Sequence, residues 1–148
     1  MPITASHGGP VSLTRAVRLS IAAGAVLGAL AVAAGAFAAH ALRARLAPEA
    51  LALVDTASRY QLMHALAVIA AGLLLAVRPS RAATLSAIAF ASGVIVFCGS
   101  LYALALGAPR SFGMVAPVGG TLLIAGWLML AAAALDRKST RLNSSHRT

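Results

Sequence analysis

LSIAAGAVLGALAVAAGAFAA, residues Leu19 to Ala39, decides the fold: the stretch holds no charged side chain from end to end. About 20 apolar residues cross the hydrocarbon core of a bilayer, so this segment reads as a first transmembrane helix. Arg15 and Arg18 precede it, and AFAAHA at its end offers small residues of the kind a signal peptidase accepts. The apolar core of a signal peptide runs about 7–15 residues, however. This one is longer and is read as a retained span.

The composition agrees. The chain has 148 residues, 60% of them hydrophobic and 10% charged, against roughly 25% charged in soluble domains. Only Glu49, Asp55 and Asp136 oppose twelve Lys and Arg, for a formal net charge of +9. In a soluble chain that balance would suggest nucleic acid. Here the arginines flank apolar segments and form no stripe, so they read as contacts to membrane phosphates and as topology signals. No nucleic-acid partner is expected. Cys98 is the single cysteine, so no internal disulfide is possible, and it reads as a small buried hydrophobe.

Three further spans follow. The expected spans are about 19–40, 61–77, 82–106 and 112–135, which together make a transmembrane domain over residues 19–135. Residues 1–18, rich in Gly, Pro, Ser and Thr, read as a disordered lead. Between spans one and two, Pro48 suits a first helical turn, and Asp55 stands four residues before Arg59, the favourable order for an ion pair. This predicts a short interfacial helix, weakly started because Ala47 cannot cap it. Arg78-Pro79 ends the second span, since the residue before proline disfavours helix. Pro117 and Gly119-Gly120 are expected to interrupt the fourth. The fold class is therefore an all-α membrane protein, a four-helix antiparallel bundle with both termini on one side.

Small residues recur on the first helix at Gly24, Gly28, Ala31 and Gly35, a spacing that lets another backbone approach closely. Gly93 continues this packing seam on the third helix. The polar signal is sharper. His40, Tyr60, Gln61, His64, Ser100, Tyr102, Arg110 and Pro117 all fall near the leaflet opposite the termini when the four spans alternate. Two His with a Tyr partner could meet a metal or a lipid head group. Interfacial His and Tyr more often fix packing, and no Cys or carboxylate joins them within the spans. No metal, cofactor or catalytic triad is expected.

GAFAAH (Gly35–His40), SRYQLMHALA (Ser58–Ala67), GSLYALAL (Gly99–Leu106) and PVGGTLLIAGW (Pro117–Trp127) occur in that order. Together they resemble the YgdD/YwdK-like small membrane proteins, domain-of-unknown-function family 423, to which transmembrane protein 256 is related. The resemblance covers Leu19 to Leu135. It implies a multi-pass inner-membrane protein with no assigned activity or cofactor. It also implies that His40, Tyr60, Gln61, His64, Ser100, Tyr102, Pro117, Gly119 and Gly120 occupy motif positions. Ala38 stands where the family often has Gly, and Ala47 where it often has Ser.

The end of the chain reads differently. DRKSTRLNSSH (Asp136–His146) is what one reading frame of a common short-read sequencing adaptor encodes, so residues 136–148 read as a disordered segment of technical origin. Without that tail the arginines divide equally: Arg15, Arg18, Arg78 and Arg81 on the terminal side, Arg43, Arg45, Arg59 and Arg110 on the other. Arg15 and Arg18, close before the first span, then favour cytoplasmic termini. The functional expectation is a non-enzymatic structural or accessory component of the bacterial inner membrane. Its partners would be lipids and a second copy or another membrane protein. The alternatives are a small oligomeric transporter or channel unit, and a lipid- or metal-binding protein built on His40, His64 and Tyr60.

Overall fold

The computed structural model describes residues 13–136. The expectations for residues 1–12 and for the tail beyond 136 lie outside the described residues. Regular structure among the described residues is entirely helical: α1 (Arg15–Ala39), α2 (Pro48–Val77), α3 (Arg81–Ala105), a short 3-10 turn (Arg110–Met114) and α4 (Ala116–Leu135). Four segments are long and apolar enough to cross a membrane, the fourth being the 3-10 turn and α4 together, Arg110–Leu135.

The helix boundaries follow local chemistry. The Thr14 hydroxyl accepts the Val17 N–H at 3.4 Å, so α1 begins at Arg15, four residues before the expected edge of the span. The Ser80 hydroxyl accepts the Ala83 N–H at 3.1 Å and starts α3. Ala47 makes no side-chain cap, and Pro48 opens α2 in its place. Gly107, at φ +94°, takes the left-handed backbone that closes the α3 end.

Two expectations are corrected here. No separate short helix lies between the first two spans, because α2 runs without a break from Pro48 to Val77. No Gly or Pro occurs between Glu49 and Ala71, and a helix once started propagates until something stops it. At 30 residues α2 is about 45 Å long, half again the thickness of a hydrocarbon core. Its first turns carry the Asp55–Arg59 ion pair at 2.8 Å. The fourth span changes from the 3-10 turn to α4 at Val115, two residues before Pro117, but Gly119-Gly120 do not interrupt it. Pro117 sits in the first turn of α4, where its missing N–H leaves no bond unmade, and the helix continues through both glycines.

Each helix packs chiefly on its neighbour in the chain, while α1 and α4 do not touch. Along α1 and α2 the contacts run in opposite order: Ser20 meets Gly72, Gly24 meets Ile69 and Ala65, and Gly35 meets Ser58. A side chain on Gly24 would collide with the Ala65 carbonyl, so this glycine sets how closely α1 and α2 approach. Gly28 lies against Ala65, and Ala31 is buried.

Gly93 faces elsewhere, against Leu123 of α4. The α3–α4 contact is a set of complementary steps. Phe97 fits over Gly119, Leu123 over Gly93, and Phe90 over Gly126. Phe90 and Phe97 are seven residues apart, as are Gly119 and Gly126, so rings on one helix meet gaps on the other at matched heights. The Ser86 hydroxyl adds a bond to the Gly126 carbonyl at 2.9 Å. The main apolar core gathers Val68, Phe90, Val94, Cys98 and Leu123.

Candidate functional site

The long α2 changes the depth at which its polar residues sit. Gly28 lies against Ala65, so His64 is level with about Ala29, the midpoint of the uncharged stretch that opened the chain. Gln61 is one turn away. Both are about 5% exposed. They therefore stand near mid-span and not at a leaflet edge, where uncompensated polar groups are most expensive.

Gln61 ties three helices together. Its amide Nε2 donates to the Leu27 carbonyl of α1 at 2.8 Å, and its Oε1 accepts from the Tyr102 hydroxyl of α3 at 3.0 Å. In hydrocarbon no water takes over either bond. Interhelical hydrogen bonds of this kind contribute about 0.6 kcal/mol on average and up to about 1.7. Gln61→Leu keeps the shape and removes both bonds. We expect it to lower unfolding stability in bicelles by about 1 kcal/mol, and an unchanged value would show that the tie carries no weight.

His64 belongs to a second network on the α3–α4 side. Its Nδ1 lies 2.7 Å from the Tyr60 carbonyl, and its Nε2 lies 3.3 Å from Trp127 Nε1. A carbonyl only accepts and an indole N–H only donates. The pattern therefore assigns the neutral imidazole with the proton on Nδ1, leaving Nε2 to accept from Trp127. Both ring nitrogens are then committed, and a metal ion or an added proton at Nε2 would displace the indole. Tyr60 stacks on His64 with centroids 5.9 Å apart, Phe90 meets Trp127 edge-on at 5.0 Å, and Phe97 lies against Tyr60 at 5.1 Å.

The eight residues expected to form one cluster are thus dispersed. Tyr60 and His64 share the aromatic network, while Gln61 and Tyr102 share the three-helix tie. Ser100 is buried but bonds only the Phe97 carbonyl of its own helix, at 2.7 Å. His40, Arg110 and Pro117 are exposed. By the α1–α2 register His40 stands level with residue 53, eleven residues from His64 and about 16 Å along the axis. The two histidines do not meet. Among the described residues no three His, Cys, Asp or Glu side chains gather in a metal-holding group. Phe90, Phe97 and Trp127 were not foreseen as members of the site. The spacing of seven between the two phenylalanines was the available signal.

A family model described as "Protein of unknown function (DUF423)" matches residues 34–120. A UPF0382 membrane protein of Haemophilus influenzae is 43% identical over 115 residues, covering 78% of this chain and 92% of that protein. The chain belongs to this DUF423 family. Other relatives are membrane proteins as well. The UPF0382 membrane protein SSP2132 of Staphylococcus saprophyticus is 37% identical over 77% of this chain and 94% of its own. The inner membrane protein YgdD of Escherichia coli K12 is 35% identical over 77% of this chain and 87% of its own. No solved structure matches the chain. The DUF423 region runs from the last turns of α1 to the start of α4; it takes in Tyr60, Gln61, His64 and Tyr102 but neither Leu27 nor Trp127. With four apolar helices and membrane-protein relatives, the DUF423 chain is a multi-pass membrane protein.

Proposed function

We propose that this DUF423 protein is a structural or accessory component of the bacterial inner membrane, acting through packing and without catalytic chemistry of its own. Its four spans would form an antiparallel bundle with both termini in the cytoplasm. Three things support that arrangement: the reversed order of α1–α2 contacts, the short connections after α2 and α3, and Arg15 and Arg18 at the start of the first span. The inner-membrane location follows the printed name of YgdD.

The observation that carries the reading is the saturation of the polar groups. Among the described residues no buried side-chain nitrogen or oxygen lacks a hydrogen-bond partner. Catalytic and transport sites are recognised by polar groups left over for a substrate. Here Gln61, Tyr102 and His64 spend their mid-span bonding on other parts of the same chain. The exposed apolar side chains of α4, Ile124 and Leu128, face away from the bundle and are available to a neighbouring helix. A photocrosslinking residue at Ile124, expressed at native level in native membrane, should yield one or a few defined protein adducts. Adducts to lipid alone would refute the accessory role.

A further inference from the structure

α1 and α3 both pack on α2 but scarcely on each other. The gap between them is a groove of about 480 Å³, within the size range of small-molecule sites. One wall is Leu30, Ala34 and Phe37, the other Ile95, Tyr102 and Leu106, and Gln61 lies on the floor. The two polar side chains there are already bonded to each other, so the surface presented is apolar. Along α3 the groove extends from Val94 to Leu106, about 18 Å, close to the depth of a single leaflet.

The charges lie at one end of it. Leu42 and Leu106 close the groove at its outer end. Arg43 follows Leu42 directly and lines the neighbouring cleft shared with Asp55 and Arg59, Arg45 stands three residues after Leu42, and Arg110 follows Leu106 by four residues. All three are exposed, and no guanidinium among them makes an ion pair or hydrogen bond within the described residues. The acids at this end are Glu49 and Asp55, and Asp55 is already held by Arg59. A leaflet-deep apolar groove ending among unpaired arginines is complementary to one molecular class.

We propose that the α1–α3 groove binds one acyl chain of an anionic glycerophospholipid, with its phosphate at Arg43, Arg45 and Arg110. This goes beyond the accessory reading and stands or falls separately from it. A second copy of the chain is disfavoured as the occupant, because two copies in the same orientation would bring six unpaired arginines together. Arginine suits the phosphate through its bidentate, permanently charged fork.

Gly99 provides the test. It lines the groove, and a Cβ added there would meet nothing within 4 Å. Gly99→Leu therefore puts bulk into the groove from a position where the first added carbon strikes neither helix. The full chain, purified in a zwitterionic detergent, is titrated with phosphatidylglycerol or with phosphatidylcholine of the same chains, reading Tm and lipid retained by native mass spectrometry. Phosphatidylglycerol should be retained preferentially and raise Tm, and Gly99→Leu should abolish that rise while its lipid-free Tm stays at or above the wild-type value, since leucine is the better helix former. Replacing Arg43, Arg45 and Arg110 by Ser should weaken retention by roughly fivefold per arginine. Equal effects of the two lipids, or a wild-type response in Gly99→Leu, would overturn the proposal. So would a wild-type dimer that Gly99→Leu splits, which would assign the groove to a second copy. Should Gly99→Leu fail to fold, the arginine variant decides alone: lost preference upholds the site and undiminished preference removes it.

Discussion

Gly119→Ala is expected to destabilise the protein by about 2 kcal/mol, while Gly120→Ala, one residue on, is expected to stabilise it. The contrast comes from what a single added carbon would meet. At Gly119 it would land on the backbone nitrogen and Cα of Phe97, whereas at Gly120 it would meet nothing within 4 Å. A flexible side chain could move aside, but a helix backbone cannot. α4 would have to withdraw from α3, loosening the steps of Phe97 on Gly119, Leu123 on Gly93 and Phe90 on Gly126. Overpacking costs about 1–3 kcal/mol, occasionally more, and a collision with helix backbone falls at the upper end, about 3 kcal/mol. Against it stands the gain from replacing a helical glycine by alanine, up to about 1 kcal/mol, which acts alone at Gly120. Reversible unfolding of the two variants in the same bicelles measures both. Equal effects would mean that the two helices are not in contact at Gly119.

The second large effect is expected at His64. His64→Ala removes a ring stacked on Tyr60, set against Phe90 and accepting from Trp127. Emptying a packed aromatic site costs roughly 2–4 kcal/mol. His64→Phe should recover part of that loss, because it refills the volume and forfeits only the two bonds, each about 1 kcal/mol. Trp127 is the single tryptophan, so its fluorescence reports the change directly. Emission should shift in both variants, and Tm should fall in the order wild type, His64→Phe, His64→Ala. If the two variants fell equally, hydrogen bonding rather than packing would dominate at this position.

The four spans were legible because bilayer thickness imposes a length that apolar runs either meet or miss. The turn at Arg78-Pro79 and the weak start at Ala47 were legible for the same kind of reason, since proline and capping chemistry act locally. The depth of the polar residues was not. Taking Gln61 as the beginning of the second span put it and His64 at a membrane edge. The helix in fact begins thirteen residues earlier, at Pro48, which brings them to mid-span. The sequence contains no breaker between the two positions, and that absence was the clue to a single long helix.

Partnerships across helices were beyond reach of the sequence. Gln61 bonds the carbonyl of Leu27, a group every residue possesses, so nothing in the identity of Leu27 could mark it. The grouping of Gly93 with the α1 glycines failed for a related reason. Spacing says that a helix has a face of small residues but not which neighbour that face meets, and Gly93 meets α4. Trp127 was quoted in a motif without being joined to His64, because their pairing depends on how α4 sits beside α2.

Among the described residues the polar centre of this membrane protein is closed on itself, with every buried side-chain polar atom bonded. The most direct measurement is the nitrogen-15 spectrum of the His64 imidazole in the full chain reconstituted in lipid bilayers, before and after addition of Zn²⁺. The structure predicts a protonated Nδ1, an unprotonated Nε2 coupled to the Trp127 indole N–H, and no change with the metal. A proton on Nε2, or a Zn²⁺-dependent shift of that nitrogen, would contradict the account and reopen His64 as a site of chemistry.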